Sequence, residues 1–234
     1  MNEFDVFKPL INGYEINLTG QKLIKRDQSI VNFLGELIET MSTGSYDIDQ
    51  LSQIGSGVYS LVFEYNDQIA FKISSQKTIQ EYKGKHLLPE DLLMQFRVMD
   101  FLNQYFNYTN QKLIAPQQFF ALQLNNGTGI NFFEKIAWQD LDSYIASENL
   151  DSHQIEKINF LIKDEIKNRL TNPIIKMMLS DLKLNGSQNL NSNNILIDNF
   201  NDLLNTTYCI IDQPGHNQFL AKLAYSISQV FFKL

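Results

Sequence analysis

The chain has a single cysteine, Cys209, which excludes an internal disulfide. It has neither a CxxC pair nor a His/Cys cluster of the kind that holds zinc. Cys209 lies inside an apolar run and reads as a small buried residue. Positive charge is also scarce: 19 Lys+Arg against 26 Asp+Glu leave a net charge of −7 at pH 7. The lysines are scattered as well, which argues against a nucleic-acid footprint. No stretch approaches the roughly 20 apolar residues that cross a bilayer, so no membrane span is expected. The opening MNEFDVFKPL has neither the basic region nor the apolar run of a signal peptide, and a soluble chain is expected. Asparagine and glutamine are plentiful but interleaved with hydrophobic residues, so no low-complexity segment is read.

What is present is enough apolar content, 44%, to bury a core as one domain or two small lobes. The chain centres on residues 189–214, NLNSNNILIDNFNDLLNTTYCIIDQP. Two short apolar runs, 195–197 and 208–211, are bounded by turn formers and predict a β-hairpin. Asn194 opens the first strand and Asp212 ends the second. In an antiparallel pair those ends lie side by side, where a carboxamide and a carboxylate could share a hard cation such as Mg²⁺.

Upstream, the spacing of Ile30, Phe33, Leu34, Leu37 and Ile38 predicts an amphipathic helix over 29–41. Residues 42–45 read as a linker. The segment 51–74 then reads as strand, glycine turn (Gly55-Ser56-Gly57), strand, turn and strand. Glycines there would let backbone N–H groups approach a phosphate, since no Cβ intervenes. Lys72 projects from the last of these strands between Phe71 and Ile73, where a lysine is costly unless an anion or carboxylate meets it.

With Gly55-x-Gly57-x-x-Ser60-x-Val62 followed by Ala70-Phe71-Lys72, the chain resembles the protein-kinase-like superfamily, whose pattern is G-x-G-x-x-G-x-V and then a strand carrying A-x-K. Ser60 replaces the third glycine. The resemblance runs over roughly residues 50–215 and implies an α+β, bilobal fold. Its small lobe would hold a five-stranded antiparallel sheet and one helix, and its helical lobe would be small and truncated. The expected division is an N-terminal helical extension over 1–48, a small lobe over 49–135 and a helical lobe over 136–234.

The resemblance further implies ATP and Mg²⁺ as ligands. Val62 and Ala70 would cover the adenine, and Lys72 would hold the α- and β-phosphates. Phe133 would stand behind the base, and the backbone of Glu134 and Ile136 would bond its edge. Leu196 would join the nucleotide contacts, and Asn194 and Asp212 would hold the metal. The helix read over 89–106, with Pro89 first and Glu90-Asp91 in its first turn, would supply the carboxylate for Lys72. Glu90 is the choice, over Glu81 before it and over the amide Gln95 nearer the middle of the helix. Further helices are expected over 152–170 and 173–184, and over 216–234 at the end.

Two positions depart from the family pattern. Five residues before Asn194, where the catalytic aspartate belongs, stands Asn189, and no histidine precedes it. Asp181, in Asp181-Leu182-Lys183, mimics the motif by sequence and is the candidate substitute base. The D-F-G position reads Asp212-Gln213-Pro214, where proline fixes the backbone that glycine leaves free. No A-P-E follows. The leading expectation is therefore a minimal ATP-dependent kinase-like phosphotransferase, similar to compact bacterial kinase-fold proteins including secreted effectors. The alternative is a pseudokinase that binds nucleotide and regulates or scaffolds a partner, and a third is an interaction module without nucleotide. The acceptor, protein or small molecule, is open. So is the location: cytoplasmic, or exported without a signal peptide.

Overall fold

The computed structural model describes residues 3–43, 50–56, 59–76, 80, 91–109, 112–179, 194–211 and 225–226. The chain divides into two compact units, Met1–Arg97 with Gln117–Lys135, and Val98–Pro116 with Ile136–Leu234.

The first unit is built on an antiparallel sheet. Its strands are β1 (Ile11–Ile16), β2 (Gln53–Ser56), β3 (Leu61–Glu64), β4 (Ile69–Ser74), β6 (Gln118–Leu124) and β7 (Gly129–Glu134), in the order β1-β6-β7-β4-β3-β2. β5 (Leu113–Ile114) belongs to the second unit. The sheet therefore has six strands where the sequence predicts five. The extra one, INGYEI, pairs with β6 from within the segment read as a helical extension. The turns follow their residues. Asn66 Oδ1 accepts from the N–H groups of Gln68 and Ile69, both at 2.9 Å, and closes the β3–β4 turn. Gly127, at φ +84°, supplies the left-handed residue between β6 and β7.

Two helices accompany this sheet, α1 (Leu18–Arg26) and α2 (Gln28–Thr43). Asn17 caps α1 through its Oδ1, which accepts from Gly20 N–H at 2.8 Å. The predicted stripe on α2 is buried at Ile30, Leu34, Leu37 and Ile38 and extends to Met41. These side chains share one core with Phe63, Phe71, Phe120 and Phe132 from the sheet. The four rings stack in succession, Phe63 on Phe71 at 5.5 Å, Phe71 on Phe132 at 5.1 Å and Phe132 on Phe120 at 4.6 Å. Phe33 of α2 meets Phe71 edge-on at 5.4 Å. Each such ring contributes roughly 1.5–3 kcal/mol by leaving water. Side chains alternate across a strand, so with Phe71 committed to this core, Ala70, Lys72 and Ser74 occupy the opposite face.

The second unit holds a four-stranded sheet of order β5-β10-β9-β8, from β5, β8 (Gln139–Asp140), β9 (Ile195–Ile197) and β10 (Tyr208–Ile210). Its helices are α4 (Leu141–Glu148), α5 (Ser152–Arg169) and α6 (Pro173–Met178), and α3 (Leu92–Thr109) begins in the first unit and ends in this one. Asp151 and Gln154 form a reciprocal capping box at the start of α5. The predicted end of α6 at 184 and the final helix over 216–234 fall outside the described residues, 225 and 226 excepted. Among the described residues, no helix is long and apolar enough to cross a membrane.

Candidate functional site

Lys72 is the centre of the candidate site in the first unit. It is 4% exposed, in the middle of β4, between Val62 of β3 and Asn131 of β7 in the strand register. Its Nζ donates to Oε1 of Gln95 at 3.3 Å, and Gln95 is itself buried on α3. The helix thus reaches the lysine with the amide of Gln95, where the sequence favours a carboxylate at Glu90. Glu90 and Glu81 lie outside the described residues. The helix also begins later than predicted. Asp91 precedes Leu92 and its Oδ1 accepts from Met94 N–H at 3.0 Å, so Asp91 is a cap rather than a first-turn residue.

The other residues assigned to the nucleotide in this unit fall along the same strands. Ala70 is buried, paired in register with Glu64 on one side and Phe133 on the other. Val62 and Phe133 are half-buried. Gly55 lies within β2, opposite Val62, rather than in the glycine turn where the sequence places it. A Cβ there would sit 3.6 Å from Val62 Cβ, an ordinary contact, so internal packing does not demand glycine at this position. Gly57 is outside the described residues. Glu134 ends β7 with its N–H given to Gln117 O at 2.8 Å, so any bond from its backbone to a base falls to the carbonyl. Its carboxylate accepts from Gln117 N–H at 3.1 Å. Beside it, Lys135 pairs with Glu64 at 2.7 Å.

In the second unit the hairpin forms in the predicted antiparallel sense. Tyr208 pairs with Ile197, Cys209 with Leu196 and Ile210 with Ile195. Ile211 N–H then donates to Asn194 C=O at 3.0 Å and extends the ladder past the last strand residue. Asn194 is half-buried, Leu196 is half-buried, and Cys209 is fully buried as a packing residue. Asp212 follows Ile211 directly in sequence but lies outside the described residues, as do Asn189 and Asp181. Ile136 is half-buried at the start of this unit's second segment. One carboxamide with one carboxylate suits a hard cation that completes its shell with water and phosphate oxygens. Among the described residues, no three His, Cys, Asp or Glu side chains converge on a metal position.

Arg169, absent from the sequence reading, anchors the hairpin. Its guanidinium donates to the carbonyls of Lys112 at 3.1 Å, Thr206 at 2.7 Å and Leu204 at 2.9 Å, and to Glu165 at 3.1 Å. It also lies 4.8 Å over the Tyr208 ring. Its one sequence signal is a basic residue in the last turn of α5.

No protein-family model matches this chain. No curated protein matches it either. Among solved structures it is similar to a double mutant of the PknI kinase domain of Mycobacterium tuberculosis, with 9% identity and a TM-score of 0.37, covering 69% of this chain and 58% of that one. A single mutant of the same domain gives 10% identity and a TM-score of 0.36, covering 69% and 57%. The chain thus spans less than two thirds of the PknI domain. APH(2")-IIia, in complex with GDP and kanamycin, gives 12% identity and a TM-score of 0.32, covering 74% and 69%. Scores this low decide nothing about chemistry.

Proposed function

We propose that this chain is a minimal kinase-like phosphotransferase that uses ATP and Mg²⁺. The observation that carries the reading is Lys72, an ammonium set in the interior of a sheet with α3 reaching it through Gln95. Burying an ammonium costs several kcal/mol, and replacing buried charge by apolar side chains of similar volume is often neutral or stabilising. A chain that keeps a lysine there has a use for fixed positive charge, and holding phosphate oxygens is such a use. The order of parts along the chain supports it: a glycine-bearing edge strand, the lysine strand, a helix that touches the lysine, two more strands, then a hairpin with Asn194 at one end.

In this reading Lys72 orients the α- and β-phosphates, and Val62, Ala70 and Phe133 border the base, with Leu196 added from the hairpin. The carbonyl of Glu134 and the backbone of Ile136 bond the base edge. Asn194 and Asp212 hold the cation, which when bound neutralises charge developing on the phosphates. A kinase-like bilobal fold is part of the same proposal.

A second reading, a nucleotide-binding pseudokinase, is favoured by one feature, the carboxamide Asn189 in place of the aspartate that steers the acceptor hydroxyl. Incubation with ATP labelled separately at the α- and γ-phosphates distinguishes the two. Transfer from γ supports the phosphotransferase, and transfer from α reassigns the chain to AMP transfer. Binding of MgATP with no transfer supports the pseudokinase, and no binding at all overturns both readings.

A further inference from the structure

The face of the sheet that carries Lys72 also carries a second buried polar residue, Asn131. The two are direct partners across β4 and β7. Directly opposed residues of an antiparallel pair share a face, with Cβ atoms about 4.5–5.5 Å apart. Asn131 is 2% exposed. Its Nδ2 donates to Gln118 Oε1 at 3.0 Å, which turns the amide so that its NH₂ end is committed to β6. Among the described residues its Oδ1 is buried without a hydrogen-bond partner. An orphaned buried acceptor is costly and calls for an explanation. An apolar residue at this position would have avoided the cost.

The lysine supplies that explanation. An ammonium has three donors. The bond to Gln95, at 3.3 Å, is longer than the roughly 2.7–2.9 Å of a strong charge-assisted contact. Gln95 stands on a helix, whereas Asn131 stands on a strand hydrogen-bonded on both sides. We infer that Asn131 is a positioning residue for Lys72, its Oδ1 offering the ammonium a second seat fixed to the sheet. Lysine would then keep its place over the sheet when the Gln95 contact is released. The significance of this rests on the reading of Lys72 as the phosphate-holding group, but testing the proposed seat does not require nucleotide.

The test uses the full chain labelled with ¹⁵N-lysine, without nucleotide, in the cold at mildly acidic pH. An ammonium held by acceptors there exchanges slowly enough to give a cross-peak, which Lys72→Arg assigns. A protected Lys72 signal is expected. Asn131→Leu should displace it and speed its exchange, while Asn131→Asp should slow the exchange. A neighbour that only fills space would not give those opposite signs. Asn131→Ser, which keeps an oxygen acceptor, covers the case in which the leucine variant fails to fold, and a denaturation midpoint checks each variant. No protected signal in the wild type, or exchange unmoved by all three substitutions, overturns the inference. The MgATP melting shift is measured separately. Binding with no response of Lys72 to Asn131 sinks the inference alone, and the reverse sinks the nucleotide reading alone.

Discussion

Gly20 of α1 lies so close to Phe119 of β6 that a Cβ on the glycine would sit 1.9 Å from the Phe119 carbonyl oxygen. The approach is fixed by Asn17, which caps the helix with its Oδ1 and donates through Nδ2 to Gln118 O at 2.6 Å. The obstructing atom is backbone and cannot swing aside. In an ordinary helix interior, glycine to alanine gains roughly 0.5–1 kcal/mol. Here Gly20→Ala should instead cost about 1–3 kcal/mol, the range for overpacking. A urea midpoint that rises on Gly20→Ala would show that α1 does not sit on β6 in this way.

The central features of the fold were legible because local chemistry and tertiary context agree on them. The hairpin over 195–211 is bounded by turn formers, and the β3–β4 and β6–β7 turns carry Asn66 and Gly127. Other elements had no local signature. β1 reads INGYEI, a half-buried edge strand with glycine and charge in it, and takes its identity from pairing with β6. β5 and β8 are two residues each, too short to show any period. Gln95 carries no sequence signal because charge logic favours a carboxylate beside a lysine, and only the geometry brings the amide to 3.3 Å. Arg169 was invisible because its carbonyl partners lie 35, 37 and 57 residues away in sequence. Nothing in the sequence singles out Asn131, whose meaning depends on its register partner Lys72.

Tyr208 gives the second unit a dependence on alkaline pH. Burial pushes its phenol up from 10.0 to about 12, with the Arg169 charge pulling the other way. The hydroxyl donates to Leu203 O at 2.6 Å, a bond that only the protonated form can make. The folded state therefore binds the proton more tightly than the unfolded one. The stabilising contribution is fully present below pH 10 and is lost as pH rises through about 12. Unfolding followed across that window should lose stability in the wild type, and Tyr208→Phe should flatten this part of the curve. Equal pH dependence in both proteins would remove Tyr208 as the cause.

Arg169→Met should open the loop between β9 and β10. The substitution strips the donors from three backbone carbonyls and removes the cation over Tyr208. Hydrogen bonds from charged donors are worth about 1.5–3 kcal/mol each and do not add, so a loss on the order of 3 kcal/mol is expected. Hydrogen exchange should rise first at residues 198–208. Uniform loss of protection across the whole chain, with no priority for that segment, would count against a local clasp.

Lys72→Met separates stability from binding. Replacing the ammonium by an apolar chain of similar length removes the cost of its burial but leaves Gln95 Oε1 without its donor, so the two effects oppose and the melting temperature should fall only modestly. MgATP at about 100 times its Kd should stabilise the wild type by about 2.7 kcal/mol, and the variant should lose that gain. Glu90→Gln and Glu81→Gln then ask which acidic residue, if either, acts alongside Gln95. If Glu81→Gln alone weakens MgATP binding, Glu90 is the wrong choice of partner. A wild-type melting curve unmoved by millimolar MgATP would end the nucleotide reading.

Asn189 decides between enzyme and regulator. It stands five residues before Asn194, where the resemblance calls for an aspartate, and an amide cannot accept a proton at neutral pH. Asparagine and aspartate are near isosteres, so Asn189→Asp restores a carboxylate with little change of shape. Positioning and general-base groups are typically worth about 10²–10⁴-fold in rate. Asn189→Asp should therefore raise γ-phosphate transfer or ATP hydrolysis by a factor in that range while nucleotide affinity barely moves. Asp181→Asn is the matched control and should be silent if Asp181 only faces solvent. The opposite pattern is a fast wild type, a neutral Asn189→Asp and a dead Asp181→Asn. It would mean that Asp181 supplies the base, and the pseudokinase reading would fall with it.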